Sequence, residues 1–432
     1  MAMAPPDRKH VALVVLGDLG RSPRMQYHAL ALADAAVDVD LIGYAGTPVY
    51  RSVRENPKII CHHLGSPGIS SRHKLPRMMF IFYSAWRLFN QMIQLLWILV
   101  LGLRKPDILI LQNPPAIPTL LVAVVVARLR FAKIVVDWHN FGYAMLALKL
   151  GFNHWIVRLA CWYEKLLGSR ADGHFCVSSA MQKELESKWG IKAIVLLDRP
   201  GEQFEPTALE IRRALFRRLH DSRALDTVPY DPDGPARPAI IVSPTSWTLD
   251  EDYGLLLEAA GCCEEMIRTR REGGLDPPFP RVLILITGEG PLRHEYEQRM
   301  SRLSLRYIQL KTLWLSAEDY PLLLGASDLG LCLHRSASGV DLPMKVADMF
   351  GSGLPVLALN YGPCLAEQIR HGEDGLLFNS SEELARQIFD LLKGFPDELS
   401  LLDRMRQNVA KRHHVRWSDE WREKALPIFR TL

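Results

Sequence analysis

Twice along this chain, short apolar runs of the length of a buried strand alternate with stretches of helical periodicity, and that alternation leaves few folds open. The first series begins with HVALVVLG at 10–17, passes through the helical MQYHALALADAA and returns to an apolar run in VDLIGY. DILILQN and KIVVDWHN flank the apolar helix TLLVAVVVARLR, and GHFCVSS and AIVLLD close the half. Strands that are apolar on both faces and joined by helices predict a parallel sheet with helices on both sides. A second series follows in AIIVSPTSW, RVLILITGEG, RYIQLKTLW, DLGLCLH, PVLALN and GLLF. A chain of 432 residues with 48% apolar residues can bury two such cores. The expected fold class is therefore α/β, with two Rossmann-like domains facing a central cleft.

The expected boundaries put a first domain at 1–198 and a second at 237–411. Between them, RPGEQFEP, the basic helix around IRRALFRRL and the polar run HDSRALDTVPYDPDGPARP read as a linker or insertion at 199–236. Residues 412–432 read as a C-terminal helix packing back on the first domain.

Charge and cysteines narrow the partners. A net charge of +4 against 52 cations and 48 anions gives no support for nucleic acid as the main partner. The 7 cysteines are scattered, apart from the neighbours Cys262 and Cys263, and form no CxxC, which reads as reduced thiols facing the cytosol and not as a disulfide framework or zinc site. The start, MAMAPPDRKH, has no apolar h-region of a secretory signal.

One segment is unusual: 72–105, RHKLPRMMFIFYSAWRLFNQMIQLLWILVLGLRK, has no acidic residue. A spanning helix needs about 20 mostly apolar residues, and Arg87, Asn90 and Gln91 interrupt the best window. A helix lying on an anionic bilayer, with Trp86 and Trp97 near the headgroups, fits the composition; so does an amphipathic helix packed on its own sheet.

In open α/β sheets ligands bind at the carboxyl ends of strands. This singles out Gly17, Asp18, Asn113, Asp137, His139, Ser178 and Asp198 in the first half. The turn GDLGRSP departs from G-x-G-x-x-G, and no acidic residue ends the second strand, which disfavours a nicotinamide site. In the second half, LILITGEGPLR is again strand, glycine turn and helix. Further on, Ser336, Ser338 and Gly339 precede a helix that opens at Pro343 and carries Lys345 in its first turn. Small residues, free backbone N–H groups, a positive helix end and a cation suit a diphosphate. Asp341 and Asp348 lie about two helical turns apart, so both are expected to face the same ligand. No Asp-x-Asp follows a strand as a magnesium–diphosphate site would require; Asp38-x-Asp40 precedes one. No metal ligand is assigned, and a need for a divalent ion stays open.

LPMKVADMFGSGLPVLALN follows the P-x-K-x-x-E-x-M-x-x-G-x-P-V pattern of donor-binding segments in GT-B glycosyltransferases, with Asp348 where Glu is usual and Phe350 at the Met position. VVLGDLGRSPRMQYHALALA, LQNPPAIP, VVDWHNFGYAML, TSWTLDEDYGLLLEA, ITGEGPLR, EDYPLLLGASDLGLCLH and the late RW-x3-W extend the likeness over almost the whole chain. It resembles the GT-B mannosyltransferases that assemble dolichol-linked oligosaccharides. That resemblance implies inverting transfer of mannose from GDP-mannose to the distal GlcNAc of GlcNAc2-PP-dolichol at the cytosolic face of the endoplasmic reticulum membrane, beside other glycosyltransferases of that route. Family members commonly begin with a transmembrane anchor that MAMAPPDRKH does not resemble, so 72–105 is expected to supply the membrane contact. A GT-B enzyme with another lipid-linked acceptor and a non-catalytic scaffold are the alternatives.

For the site, the resemblance implies donor contacts from Thr245, Ser246, Gly288, Glu289, Gly290, Trp314, Ser336, Ser338, Gly339, Asp341, Lys345 and Asp348. Among these, Asp348 falls at the ribose position, Asp341 nearer the mannose, and Trp314 beside the base. Gly17, Gly20, Ser22, Arg24 and Asn113 are expected on the acceptor side. An inverting transfer needs a base for the acceptor hydroxyl. Asp18 is the first candidate and His139, which could instead contact the donor sugar, the second.

Overall fold

The computed structural model describes residues 9–65, 77–222, 225, 237–274, 279–396 and 400–432. It divides into two compact units, Met1–Leu197 with Ser418–Leu432, and Asp198–Trp417.

In the first unit the order is β1 (His10–Asp18), α1 (Pro23–Asp34), β2 (Asp38–Tyr44), α2 (Arg51–Arg54), β3 (Ile59–Leu64), α3 (Arg77–Trp97), β4 (Ile108–Asn113), α4 (Thr119–Arg130), β5 (Lys133–Trp138), α5 (Gly142–Leu150), α6 (Trp155–Gly168), β6 (Gly173–Cys176), α7 (Ser179–Glu184) and β7 (Ile194–Val195). All pairings are parallel, in the order β3-β2-β1-β4-β5-β6-β7. Val11 to Val15 and Ile108 to Leu111 are buried, as central strands covered on both faces demand. Strand order reverses between β1 and β4, so the loops leaving those strands at Asp18 and Asn113 diverge.

The second unit runs α8 (Leu209–Asp221), β8 (Ala239–Pro244), α9 (Tyr253–Glu272), β9 (Val282–Thr287), α10 (Arg293–Met300), β10 (Ile308–Leu313), α11 (Asp319–Ala326), β11 (Leu329–Cys332), α12 (Met344–Gly351), β12 (Val356–Leu359), β13 (Gly375–Phe378), α13 (Ser381–Leu392) and α14 (Ser400–Arg412). Its parallel sheet is ordered β10-β9-β8-β11-β12-β13, with the reversal between β8 and β11. Thr245 and His334 follow those two strands.

The described part of 199–236 is not a free linker. Phe204 and the inward face of α8, Leu215, Phe216 and Leu219, are buried in the second core with Val242 and Leu283. A basic helix can be read as solvated when only its charges are counted; every third or fourth residue of this one is apolar and pays out as core packing. The polar run 226–236 lies outside the described residues.

At the C-terminus, α15 (Trp417–Lys424) and α16 (Leu426–Thr431) follow. From Ser418 onward they belong to the first unit: Phe429 stacks on Trp421 at 5.5 Å and meets Phe175 of β6 at 6.0 Å. α3 is a long helix ending in a π turn at Ile98–Gly102. Among the described residues no helix is long and apolar enough to cross a membrane; Arg72 and Lys74 lie outside them.

Candidate active site

The β1 loop of the first unit is organised around Asp18. Its Oδ1 accepts from the Gly20 N–H at 3.0 Å, and its Oδ2 from the Thr47 N–H and hydroxyl at 2.8 and 2.9 Å. Ser22 Oγ donates to the Asp18 carbonyl at 3.0 Å. A Cβ on Gly20 would stand 2.3 Å from the Thr47 carbonyl oxygen, so Gly20 is set by backbone against backbone. Gly17 has room for a Cβ in ordinary contact. The Asp18 side chain keeps 24% of its surface open to solvent.

Two residues expected at the acceptor are buried instead. Arg24, 1% exposed, donates from Nε and Nη2 to both oxygens of Asp137 at 2.8 and 2.9 Å, and from Nη1 to the Leu196 carbonyl at 2.9 Å. Its guanidinium is therefore committed inside the protein and does not reach a phosphate. Asn113 is fully buried and donates to the Asn140 carbonyl at 3.1 Å and to Glu164 Oε1 at 2.6 Å. Glu164 also accepts from the N–H groups of Gly142 and Tyr143 at the start of α5, where a carboxylate suits the helix end. Burial pushes the Glu164 carboxyl up, with the Asn113 bond opposing.

Asp137 is the hub of the first unit. Besides Arg24 it takes hydrogen bonds from His28 at 3.2 Å and His139 at 2.8 Å. Burial opposes its charge, but Arg24 and then His139 and His28 hold the carboxyl well below the usual range. His139 thus presents Nε2 to a fixed anion, leaving Nδ1 on a ring that is 19% exposed. Such an arrangement orients an imidazole and fixes its tautomer.

In the second unit, Glu251 is the centre. Its Oε2 accepts from the Thr245 hydroxyl at 2.7 Å and the Ser246 N–H at 2.8 Å, and its Oε1 from Lys345 Nζ. Thr245 Oγ1 also accepts from the Trp247 N–H at 2.8 Å, so this buried hydroxyl shapes the loop. Ser246 is exposed. Lys345 gives one of three ammonium hydrogens to Glu251 and has others to offer. The GEG turn packs against the same loop: a Cβ on Gly288 or Gly290 would lie 1.8 Å from the carbonyl oxygens of Thr245 and Ser246. Glu289 at the tip pairs with Arg293. Trp314, after β10, is 53% exposed.

The serine-rich loop is turned inward. The Ser336 and Ser338 hydroxyls donate to Asp341 Oδ1, the latter at 3.2 Å, and Ser336 Oγ accepts the Gly339 N–H at 2.7 Å. Asp341 Oδ2 meets His334 Nε2 at 3.1 Å, while His334 Nδ1 stands 3.3 Å from Asp250. The expected helical pairing of Asp341 with Asp348 fails because α12 begins only at Met344; Asp341 lies before it, buried, tying the loop together. The Gly339 N–H, expected to face the diphosphate, is likewise taken by Ser336. Burial works against charge on His334, yet Asp250 and Asp341 hold its pKa up to about 9. Asp348, on α12, accepts from Tyr320 Oη at 3.4 Å. Burial, then the charge of Asp198, keeps its carboxyl well above the usual range.

Glu251, His334, Asp250 and His28 were not singled out by sequence reasoning. Asp137 was visible as a polar strand end, but Glu251 sits in an acidic run with nothing local to distinguish it.

Residues 20–198 match the family model described as Glycosyl transferase 4-like domain, and 266–394 that described as Glycosyl transferases group 1. The protein named UDP-glycosyltransferase TURAN of Arabidopsis thaliana is 42% identical, over 98% of this chain and 97% of that one. The Homo sapiens protein named chitobiosyldiphosphodolichol beta-mannosyltransferase is 39% identical, over 97% and 92%. Anabaena HepE, solved in complex with UDP-glucose, superposes with a TM-score of 0.64 at 16% identity over 98% of this chain and all of that one, which speaks for the fold alone.

Proposed function

The chain belongs to the family of the chitobiosyldiphosphodolichol β-mannosyltransferases and is a glycosyltransferase of GT-B fold, and from that premise we propose that it moves mannose from GDP-mannose to GlcNAc2-PP-dolichol with inversion. The observation that carries this reading is likeness to proteins of that name over nearly the full length of both chains.

In this reading the second unit holds the donor. Lys345, steadied by Glu251, offers its remaining ammonium hydrogens to the diphosphate together with the N-terminal end of α12. Asp348, favoured in its neutral form, hydrogen-bonds the ribose, and Trp314 lies beside the base. Glu289 and Ser246 border the nucleotide from the two loops that the GEG glycines bring together. Asp341, His334, Ser336 and Ser338 act through the shape of the loop.

The first unit supplies the proton acceptor. Asp18 has three hydrogen bonds to its carboxylate, which leaves a lone pair on Oδ1 for the acceptor 4-hydroxyl. As that oxygen bonds to C1 of mannose, its proton passes to Asp18, and the bond from C1 to the β-phosphate oxygen breaks. GDP leaves with the electron pair, its charge met by Lys345. His139, oriented by Asp137, borders the donor sugar. Lys345 and the N-terminal end of α12 can take the part a divalent ion plays elsewhere, and turnover compared with and without EDTA decides whether an ion is needed. The site of action is the cytosolic face of the endoplasmic reticulum membrane.

The test is transfer of radiolabelled mannose to a synthetic GlcNAc2-PP-lipid, with GDP-mannose, GDP-glucose and UDP-glucose as donors. Product with GDP-mannose alone, carrying a β linkage, supports the reading. Turnover of UDP-glucose in place of GDP-mannose would overturn it and match the name of the Arabidopsis relative instead.

A further inference from the structure

Helix α3 faces the wrong way for a protein in water. Met79, Phe82, Trp86, Phe89, Ile93 and Trp97 recur at three- and four-residue intervals, forming one stripe, and all are exposed. Its glutamines point to the protein: Gln91 donates to Tyr44 Oη at 2.6 Å and Gln94 accepts the Gly65 N–H at 2.8 Å.

The next helices repeat the pattern. On α4, Leu121, Val125 and Leu129 face out at four-residue spacing, while Leu120, Val122, Ala123 and Val126 are core. On α6, Trp155, Leu159, Trp162 and Leu166 face out, Trp155 being 67% exposed. Met145 and Leu148 of α5 join them. These helices are neighbours: α3 packs on α4, and α6 packs on both α4 and α5. The Leu121 N–H donates to Tyr163 Oη of α6 at 3.2 Å, and Arg130 of α4 donates to the Val100 and Leu103 carbonyls after α3. Phe131 ends α4 in the left-handed conformation, φ 53°, and is 86% exposed. Its ring meets Lys105 Nζ at 5.9 Å from the centroid and otherwise turns to the outside.

We infer that the outward faces of α3, α4, α5 and α6 form one platform that docks on an anionic lipid bilayer, so that membrane contact extends well beyond 72–105. Charge selects that occupant. The described parts of the four helices hold a single acidic residue, Glu164, which is buried, whereas Arg128, Lys149, Arg158 and Lys165 are exposed among the apolar positions. Lysine and arginine stems can lie along lipid while their heads reach phosphates, and tryptophan belongs at that depth. A second copy of the chain would bring cations against cations. Contiguous exposed apolar side chains over neighbouring helices are the kind of surface that marks a protein or membrane contact. The inference is independent of which sugar is transferred.

The experiment uses the full chain and vesicles of phosphatidylcholine with one-fifth phosphatidylserine, read by flotation. Two variants lie outside α3, L129S/F131S and W155S/W162S; a third, W86S/F89S, lies on it. Each is expected to lower vesicle binding at least tenfold while GDP affinity and transfer to a short-chain, water-soluble acceptor stay at wild-type level. Unchanged flotation of both variants outside α3, with only W86S/F89S impaired, would overturn the platform. So would a wild-type dimer in sedimentation that W155S/W162S abolishes while vesicle binding persists. Absence of transfer by the wild type to either acceptor would count against the proposed function and leave the vesicle result to decide the platform on its own.

Discussion

Trp421 Nε1 donates to His28 Nδ1 at 3.0 Å, which leaves His28 Nε2 to carry the proton that meets Asp137. A residue of the C-terminal segment thereby sets the tautomer of a buried imidazole that shares its carboxylate with His139. W421F keeps the ring stack on Phe429 but leaves a buried acceptor without a donor, at a cost of about 1–3 kcal/mol. Urea unfolding should show that loss. The kcat of W421F should fall more than its GDP-mannose affinity if the Asp137 cluster orients His139; an unchanged unfolding midpoint would remove the bond from the account.

Lys345→Ala has two expected consequences. GDP binding should weaken by about 1.5–3 kcal/mol, the range for a charge-assisted contact. The second unit should also lose stability, because Glu251, 3% exposed at its side chain, is left without its cation. Calorimetry on protein verified as folded separates the two, and unaltered GDP affinity would take Lys345 out of phosphate binding.

Asp18→Asn cannot accept a proton, so kcat should fall roughly 10²- to 10⁴-fold with GDP-mannose affinity near wild type. His139→Ala should lose affinity as well as rate. Near-normal turnover by Asp18→Asn would pass the role of base to His139, whose ring is already aligned on Asp137.

Gly290→Ala places a methyl group where the Ser246 carbonyl oxygen stands, 1.8 Å away. The two loops must separate, and donor affinity should drop at least tenfold, while the same change at Gly17, where a Cβ meets only ordinary contacts, should leave it unaltered. Equal donor affinity in the two variants would show that the loops are not held together as the geometry requires.

His334 gives the second unit a pH dependence of definite sign. Its pKa rises from 6.5 to about 9 on folding, so the folded state holds the proton more tightly. The stabilisation is fully present below pH 6.5 and fades as pH climbs toward 9, by on the order of 3 kcal/mol. His28 acts oppositely: burial lowers its pKa from 6.5, so protonation of the unfolded chain costs stability as pH drops below that value. Denaturation midpoints across pH 5–9 should therefore decline toward both ends, and His334→Gln should flatten the alkaline side only.

Much of this protein was legible in one dimension. Val11 to Val15 or Ile240 to Val242 are apolar without a break, and such a run between helical segments has almost no place except a central parallel strand. Polar residues at the ends of those strands were legible in the same way, and so was the helix that carries Lys345.

Partnership was decided elsewhere. Arg24 and Asp137 lie 113 residues apart, Lys345 and Glu251 94, Trp421 and His28 393. A side chain's type says what it can bond, and only the packed chain says which group stands within reach, so Arg24, Asn113 and Ser336 read as ligand contacts and fold as internal ones. The same holds for α3. Its periodicity announces an apolar face, but transfer out of water is favourable whether that face meets a protein core or a bilayer. Its orientation was set by Tyr44 and Gly65, which hold the glutamines inward and leave the tryptophans exposed.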